Sequence, residues 1–286
     1  MSRKITAAQK HQLMTKMLAS QAGRKRIAAS IQEPLRKLRD YQAIGRKAML
    51  IDELPDGALP IYDRDVDTPA YVVGEEGESV QKVVKATRLL VPIFELASNP
   101  TVPFTQVKER RFDIVARIKK KSKDELFRKE DNIIFSALEA AGANNTVNSQ
   151  VSVAAASFGM DDMATAFSQV ETHGHRVDKV FMNAQEYRYF RNAGRDYIDF
   201  ETQRELLRTG YLGLLWGAQI FMSPEITAGK IILTAEPEYI GVVPVRIDLT
   251  VIPADQPTLR QFGWSVFEAI GVGIHNEYGL QTIVVT

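Results

Sequence analysis

The chain of 286 residues is 45% hydrophobic and 25% charged, with a net charge of +1 at pH 7. This balance predicts one large globular domain or two smaller ones with a sizeable core. The absence of cysteine excludes disulfides, thiolate nucleophiles and sulfur-ligated metals, and it fits a reducing compartment. No apolar run approaches the about 20 residues that span a bilayer. The N-terminus also lacks the apolar segment of a secretory signal, so we expect a soluble protein with no membrane partner.

The first 48 residues are strongly basic. They contain twelve Lys or Arg residues and two acidic residues, a balance of +10, so the rest of the chain carries −9. Residues 6–22 and 24–47 are rich in Ala, Gln, Leu and Lys, which predicts two exposed helices with a break near Gln32, ahead of Pro34. This uneven distribution of charge along the chain indicates an arm that contacts nucleic acid or an acidic partner, or else a solvated helical extension.

A β-hairpin is predicted after a Pro/Gly linker at residues 49–60. Two extended runs, Ala58–Val73 and Ser79–Leu96, flank the sequence GEEGE at Gly74–Glu78. Glycine permits the positive φ angles that tight hairpin turns need. With about 15 residues per strand, such a ribbon would project roughly 50 Å. An isolated two-stranded ribbon is marginal in water, so we expect the rest of the chain or a neighbouring subunit to cover it.

Alternating aspartates in the first run suggest a calcium-binding loop. Asp63, Asp65 and Asp67 match the first three ligand positions of an EF-hand. That loop also needs Gly at its sixth position and Glu at its twelfth, where this chain has Thr68 and Gly74. A solvated strand with ion pairs is therefore the better interpretation.

Residues 116–145 carry the clearest helical pattern in the sequence. Its apolar stripe comprises Phe127, Ile134, Leu138 and Ala141, widened by Leu126, Ile133 and Ala137. Acidic residues expected near its start are Asp124, Glu125, Glu130 and Asp131, and Gly142 is expected after its end.

The second half of the chain predicts mixed helices and strands. Residues 160–173 form an amphipathic helical pattern through Met163, Ala166, Phe167 and Val170. A strand is predicted at Lys179–Met182, followed by short helices in AQEYRYF and FETQRELLR. Strand-like runs then dominate: LGLLWGAQIFMS, KIILTA, YIGVVPVRIDLTVI, WSVFEAIGVGI and LQTIVV. This order favours an α+β fold over a doubly wound parallel sheet.

Residues that commonly carry catalysis do not form a recognisable site. His173 and His175 are two residues apart and match no metal-binding spacing. The GVG at Gly271–Gly273 lacks the third glycine of a dinucleotide-binding loop. The sequence contains neither a Walker A loop nor a GxSxG nucleophile elbow, and no aromatic residues interleave with the basic arm. We therefore expect no enzyme activity, cofactor or metal.

The order of the elements resembles that of the major capsid proteins of tailed bacteriophages, whose fold is shared with encapsulin shells. The stretches VDKVFMNAQEYRYF and GAQIFMSPEITAGKIIL are locally the most similar to that family. The resemblance implies an α+β capsid fold with five segments. These are an N-terminal arm at 1–57, an extended β-hairpin loop at 58–97, a peripheral domain with a spine helix at 98–155, an axial domain at 156–245, and closing strands of the peripheral domain at 246–286.

The resemblance implies a structural subunit of a virion, assembled in the host cytoplasm as hexamers and pentamers of an icosahedral shell. Its partners would be copies of itself and packaged double-stranded DNA, bound without sequence preference. Portal, scaffolding and decoration proteins stay open as further partners, and we expect no fused scaffolding domain ahead of the arm. The alternatives are an encapsulin-type nanocompartment shell and a DNA-binding protein that uses the basic arm.

In this family the extended loop lies across an adjacent subunit, and the arm lies near the inner face of the shell. The implied assembly contacts are Glu75, Glu76, Glu78, Lys82 and Lys85. The implied contacts with DNA or a scaffolding protein are Arg24, Lys25, Arg26, Arg36, Lys37 and Arg39. Some relatives join subunits through Lys–Asn isopeptide bonds. Because no Asn occurs between Asn192 and Asn276, where the acceptor would be expected, we predict no cross-link.

Overall fold

The computed structural model describes residues 17, 20–29, 32, 44–64, 87–103, 105, 114–155, 157–192 and 214–286. The chain divides into two compact units. Unit 1 comprises Met1–Arg46, Ile93–Ile134 and Val245–Ile270, and unit 2 comprises Lys47–Pro92, Phe135–Pro244 and Gly271–Thr286. Among the described residues, no helix is long and apolar enough to cross a membrane.

Helices and strands are mixed along the chain, as the α+β prediction expects. The helices are α1 (21–29), α2 (Ile114–Ala143), α3 (Met160–Thr172) and α4 (Ala184–Asn192), with 3-10 helices at Gly45–Lys47, Pro237–Tyr239 and Pro257–Leu259. The strands are β1 (Leu50–Glu53), β2 (Ile61–Asp63), β3 (Arg88–Leu90), β4 (Ile93–Ser98), β5 (Thr101–Pro103), β6 (Val151–Val153), β7 (Lys179–Met182), β8 (Leu214–Leu215), β9 (Ala218–Met222), β10 (Lys230–Thr234), β11 (Gly241–Pro253), β12 (Gln261–Gly271), β13 (Gly273–Ile274) and β14 (Leu280–Val285).

Unit 1 contains an antiparallel ladder of long strands and the first two thirds of α2. Strand β12 lies between β11 and β4 and also pairs with β5. Val251 pairs with Val266, and both side chains are buried. Register shifts interrupt the β11–β12 ladder on either side of Ile247, and bulges of this kind bend a strand and increase its twist. The sheet of this unit is therefore bent, and its buried residues include Leu249 and Val251 of β11 and Phe262, Trp264 and Val266 of β12.

Unit 2 is organised around a six-stranded sheet in the order β6-β14-β10-β7-β9-β8. Strands β7 and β9 run parallel, whereas β10 is antiparallel to both of its neighbours. Helix α3 contributes to the core cluster of this sheet through Met163, Ala166, Phe167 and Val170, the four residues that the sequence pattern predicts. The predicted boundaries of β7 also agree with the structure.

The structure corrects the predicted position of α2. The helix begins at Ile114, so Glu130 and Asp131 lie within it and are buried, rather than near its start. Gly142 lies in the last turn instead of after the helix. Helical dipole arguments place acidic residues at a helix start, but here the two carboxylates face ion-pair and hydrogen-bond partners that only the tertiary structure supplies.

Two further sequence predictions differ from the structure around the hairpin. The supposed linker contains β1, and the second extended run divides into β3 and β4, of which β4 joins the sheet of unit 1. The predicted helix at 24–47 does not extend to its end, because residues 44–49 form bends and a 3-10 helix. The predicted helix in FETQRELLR and the hairpin turn lie outside the described residues.

Candidate assembly site: the hairpin root and the basic arm

The two ends of the predicted hairpin are paired as the sequence predicts. Strands β2 and β3 run antiparallel. Together with Leu59, Pro60, Arg64, Thr87 and Val91, they form what we call the hairpin root. The Arg64 amide extends the ladder by donating to the Thr87 carbonyl at 2.8 Å. Residues 65–86, which include Glu75, Glu76, Glu78, Lys82 and Lys85, lie outside the described residues, so their contacts stay predictions.

Close packing against two glycines fixes the root within unit 2. Val91 is only 1% exposed. A Cβ atom on Gly273 would lie 2.4 Å from Val91 Cγ2, and one on Gly271 would lie 3.0 Å from Val91 Cγ1. Only residues without a side chain permit this approach, so the sequence GVG has a packing role here.

Two polar contacts also hold the root. The Tyr62 hydroxyl donates to Asp52 Oδ2 on β1 at 2.6 Å. Burial raises the pKa of the Tyr62 hydroxyl, and the hydrogen bond to Asp52 and its negative charge raise it further. Arg64 Nη2 donates to Glu277 Oε1 at 2.7 Å, with both side chains partly exposed. Strand β2 is thus attached to two different segments of the same unit.

The loop that carries Glu277 is itself fixed by two buried amides. Asn145 Nδ2 donates to the carbonyls of Glu277 and Leu280, at 2.8 and 3.0 Å. Asn148 Nδ2 donates to the Tyr278 carbonyl at 2.9 Å. The backbone N–H of Asn148 in turn donates to Asn145 Oδ1 at 2.9 Å. These bonds satisfy carbonyls of the loop and of Leu280, the first residue of β14, and they hold in place the segment that carries the partner of Arg64.

The hairpin root presents apolar side chains to solvent. Leu59 is 69% exposed and Leu90 is 65% exposed. Ile61, also exposed, is directly opposite Leu90 in the ladder, so these two side chains share one face of the ribbon. The neighbouring Asp63–Arg88 pair is at 4.0 Å and largely exposed, which makes it a weak contact. This face can gain stability by burial against a partner.

The described part of the basic arm distributes its charges unevenly. Arg24 forms an ion pair with Asp255, so a carboxylate already compensates its charge. Lys25 and Arg26 are exposed on α1. The other predicted arm contacts, Arg36, Lys37 and Arg39, lie outside the described residues. Among the described Lys and Arg residues of the arm, Lys25 and Arg26 are therefore the exposed ones, whereas Lys47 is only partly exposed.

A buried ion pair at the end of the arm was not predicted. Arg46 Nε donates to Glu130 Oε1, and Arg46 Nη2 lies 3.6 Å from Glu268 Oε2. The Gly45 amide donates to Asp131 Oδ1 at 2.8 Å. The sequence contained one signal for this: Glu130 is three residues after Phe127 and four before Ile134 in the apolar stripe, where a charge indicates a buried partner. The prediction that Glu130 lies near the helix start is wrong, because the helix begins at Ile114.

The described residues contain no group of three or more His, Cys, Asp or Glu side chains that could hold a metal ion. Asp63 belongs to the hairpin ladder, as the strand interpretation of the alternating aspartates expects. The calcium-loop residues Asp65 and Asp67 fall outside the described ranges.

Comparison with known proteins gives a clear structural likeness without a sequence match. No protein-family model matches the sequence, and no curated protein matches it. A solved structure from Microbacterium phage Oxtober96 has a TM-score of 0.66 and 15% identity, covering 85% of this chain and 91% of that chain. The capsid of cyanophage P-SCSP1u gives a TM-score of 0.66 and 11% identity, over 85% and 88% of the two chains.

A third solved structure extends the likeness beyond phages. The virus-like particle from Pyrococcus furiosus has a TM-score of 0.58 and 15% identity, covering 89% of this chain and 98% of that chain. Together these matches span most of each chain. The chain therefore has the fold of phage major capsid proteins, shared with the subunit of that virus-like particle.

Proposed function

We propose that this chain is a structural protein, the major subunit of a phage-type capsid that assembles as hexamers and pentamers into an icosahedral shell around double-stranded DNA. The observation that carries the proposal is the extent of the fold match. It covers 85–89% of this chain and 88–98% of the compared chains. On this proposal the chain acts as a structural component without enzymatic activity, and its location is the virion.

The hairpin is the proposed contact between neighbouring copies. Its root exposes Leu59, Ile61 and Leu90, and two-stranded ribbons are marginal in water without a further surface. Burial of apolar area is the main favourable term in most protein association. The tip residues Glu75, Glu76 and Glu78 would then meet Lys or Arg side chains on a neighbour. Each exposed ion pair would contribute about 0–1 kcal/mol. These pairs would therefore align neighbouring copies more than they would strengthen the contact.

Removal of the hairpin tip tests this proposal. Deletion of residues 72–82 should leave a folded chain, because the described root contacts all lie outside the deletion, but it should abolish shells. Circular dichroism reports folding, and negative-stain electron microscopy reports shells. A matched variant in which Glu75, Glu76 and Glu78 are replaced by Gln keeps the ribbon and removes only its charge. Closed particles of normal size from the deletion variant would contradict the proposed contact.

The basic arm is proposed to face the packaged DNA. Lys25 and Arg26 are exposed and not engaged by the compensating carboxylate that holds Arg24. Contacts with phosphate are independent of base sequence and weaken as salt increases. An acidic scaffolding protein could occupy the same arm before DNA enters, and portal or decoration proteins are further proposed partners. Assembly in the host cytoplasm is part of the same proposal.

A nanocompartment shell of the encapsulin type is the second candidate. The likeness to the Pyrococcus furiosus virus-like particle, which covers 98% of that chain, favours it. Purified particles treated with nuclease distinguish the two functions. Protected double-stranded DNA supports the capsid, whereas particles that retain a protein cargo and no nucleic acid support the nanocompartment.

A further inference from the structure

A buried asparagine in unit 2 fixes the hydrogen-bonding role of a neighbouring histidine. Asn276 is 4% exposed, and its Oδ1 accepts from the Tyr278 amide at 2.9 Å. This bond orients the side chain so that Nδ2 faces His175 Nε2 at 3.5 Å. An amide nitrogen can only donate. In a hydrogen bond between these two atoms, long at this distance, His175 Nε2 is the acceptor, which requires a neutral imidazole with its proton on Nδ1.

Protonation of His175 would remove that acceptor. Both nitrogens of an imidazolium are donors, so His175 Nε2 and Asn276 Nδ2 would then present two donors to each other. A buried donor without an acceptor costs more than the hydrogen bond it replaces. Histidine is the side chain that ordinarily changes its charge between about pH 5 and about pH 8.

The two other histidines of this region respond differently. His275 Nε2 lies 3.2 Å from the Glu238 carbonyl, to which it can only donate, so protonation preserves the bond. His173 contacts the Tyr278 ring in a T-shaped arrangement, at 5.0 Å between ring centroids, a contact that needs no hydrogen-bond acceptor on the imidazole. Tyr239 contacts His175 at 5.3 Å between ring centroids. The segments that meet at this contact are residues 171–176, 236–239 and 275–278. Their remaining titratable or charged residues are Glu171, Arg176, Glu236, Glu238, Glu277 and Tyr278.

The asparagine belongs to the loop that anchors the hairpin root. Residues 275–278 follow β13, and Glu277 in this loop accepts from Arg64 at 2.7 Å. The amides of His275 and Asn276 donate to the Ile240 carbonyl at 3.1 and 3.3 Å. A change at Asn276 is thus only one residue from the carboxylate that holds β2.

We propose that loop 275–278 is a proton-sensitive anchor of the hairpin root: protonation of His175 opposes the Asn276 amide, loosens the loop and weakens the Arg64–Glu277 contact. The anchor is a property of the chain itself. Its consequence for assembly, that acidification frees the hairpin to change its orientation, rests on the proposed capsid function. The two ideas can fail separately.

Hydrogen exchange on the full-length purified chain tests the anchor without reference to shells. Protection factors, corrected for the intrinsic effect of pH, are compared at about pH 7.5 and about pH 5.5, a range in which histidine titrates and ordinary carboxylates stay charged. Peptides that contain residues 276–280 should lose protection about five- to tenfold on acidification, as expected for one lost hydrogen bond and one opposed donor pair. Residues 61–64 should lose protection in parallel, while 231–233 in the central strand β10 should not.

Three variants distinguish the anchor from a general effect of acid. In His175→Gln the amide oxygen can accept from Asn276 at either pH, so protection should become independent of pH. His275→Gln is the matched control and should retain the wild-type response. Asn276→Asp supplies an acceptor for a protonated His175, so protection should increase at the lower pH. This third variant keeps the test decisive if His175→Gln does not fold.

Equal protection at both pH values in the wild type would overturn the proposal. So would an unchanged acid response in His175→Gln, or an acid-induced loss in Asn276→Asp like that of the wild type. If the exchange results agree with the anchor but electron microscopy finds no shells, the capsid function fails and the anchor stands. If shells form but exchange does not depend on pH, the anchor fails and the capsid function stands.

Discussion

At the scale of single residues, the basic arm is a mixture of structural and available charges. Arg46 is buried and paired with Glu130, and Arg24 is paired with Asp255. The sequence predicts an excess of +10 in this region, but it cannot show which cations have carboxylate partners distant in the chain. That information depends on tertiary contacts, so the two compensated arginines could not be separated from Lys25 by composition.

Arg46→Met should lower the free energy of unfolding by about 3 kcal/mol, because it leaves the Glu130 carboxylate buried without its guanidinium partner. Urea denaturation of the full-length chain, followed by circular dichroism, measures this change. Arg88→Met is the matched control, since Arg88 is 80% exposed and lies 4.0 Å from Asp63; it should change stability by at most about 1 kcal/mol. Equal effects of the two substitutions would be inconsistent with a structural role for the buried pair.

Tyr62 predicts a loss of stability in alkali. Its pKa is raised in the folded chain, mainly by burial and then by the hydrogen bond to Asp52. Above about pH 10 the unfolded chain gains stability by ionising its tyrosine, whereas folded Tyr62 stays neutral, so the contribution of Tyr62 is complete below that pH and is lost above it. Tyr62→Phe should cost about 1 kcal/mol at neutral pH, for the lost hydrogen bond.

Denaturation at increasing pH compares the two chains. The stability difference between the wild type and Tyr62→Phe should shrink as the pH rises above about 10. Other tyrosines and lysines titrate in both chains, so the difference isolates Tyr62. A difference that stays constant with pH would show that the Tyr62 hydroxyl has the same environment in the folded and unfolded states.

At the scale of elements, the sequence was sufficient wherever one periodicity covers a whole element. The apolar residues of α3 recur at helical spacing, and β7 is a short apolar run bounded by polar residues, so their positions were predicted correctly. Boundaries failed where the pattern is continuous across two elements. The run that contains Leu90 and Ile93 is equally apolar in β3 and β4, and only strand pairing separates them. No sequence pattern indicated the hydrogen bonds by which the Asn145 and Asn148 side chains hold the loop that contains Glu277.

The last turn of α2 gives a prediction opposite to normal helix propensity. Replacing a helical glycine by alanine usually stabilises by roughly 1 kcal/mol. At Gly142, however, a Cβ atom would lie 2.0 Å from Thr282 Oγ1 and 3.1 Å from Thr282 Cβ. Gly142→Ala should therefore lower the free energy of unfolding by about 1–3 kcal/mol, as overpacked sites do.

The double variant Gly142→Ala/Thr282→Ala is the control for that prediction. It removes the hydroxyl and the methyl group that the new Cβ would meet, so it should be more stable than Gly142→Ala alone. Thermal and urea denaturation of the three chains measure the coupling between the two sites. A gain in stability from Gly142→Ala alone would mean that α2 and β14 can separate at no cost.

At the scale of the whole molecule, the two units expose features that a self-sufficient chain would not need. Unit 2 holds the hairpin root firmly through Val91, Tyr62 and Arg64, yet leaves Leu59 and Leu90 in solvent. A rigid attachment combined with an exposed apolar face suits an element that binds outside its own unit. The sequence alone predicts a ribbon that needs a covering surface, and this stays a prediction, whereas the attachment of Arg64 to Glu277 could not be predicted from the sequence.

The exposed cations of unit 1 give a prediction about nucleic acid. Double-stranded DNA releases counterions when Lys or Arg neutralises phosphate, and each such contact adds about one to the slope of log affinity against log salt. Replacing Lys25 and Arg26 by Gln should therefore reduce that slope by about two, without changing the fold. Fluorescence anisotropy with a DNA duplex of arbitrary sequence, measured across a salt series, gives the slope.

Arg24→Gln is the matched control, because Asp255 already compensates Arg24 and its loss should leave the slope nearly unchanged. If Arg24→Gln reduced the slope as much as the double variant, the charges of the arm would act together regardless of pairing, and the assignment of Lys25 and Arg26 as the DNA-facing cations would be wrong.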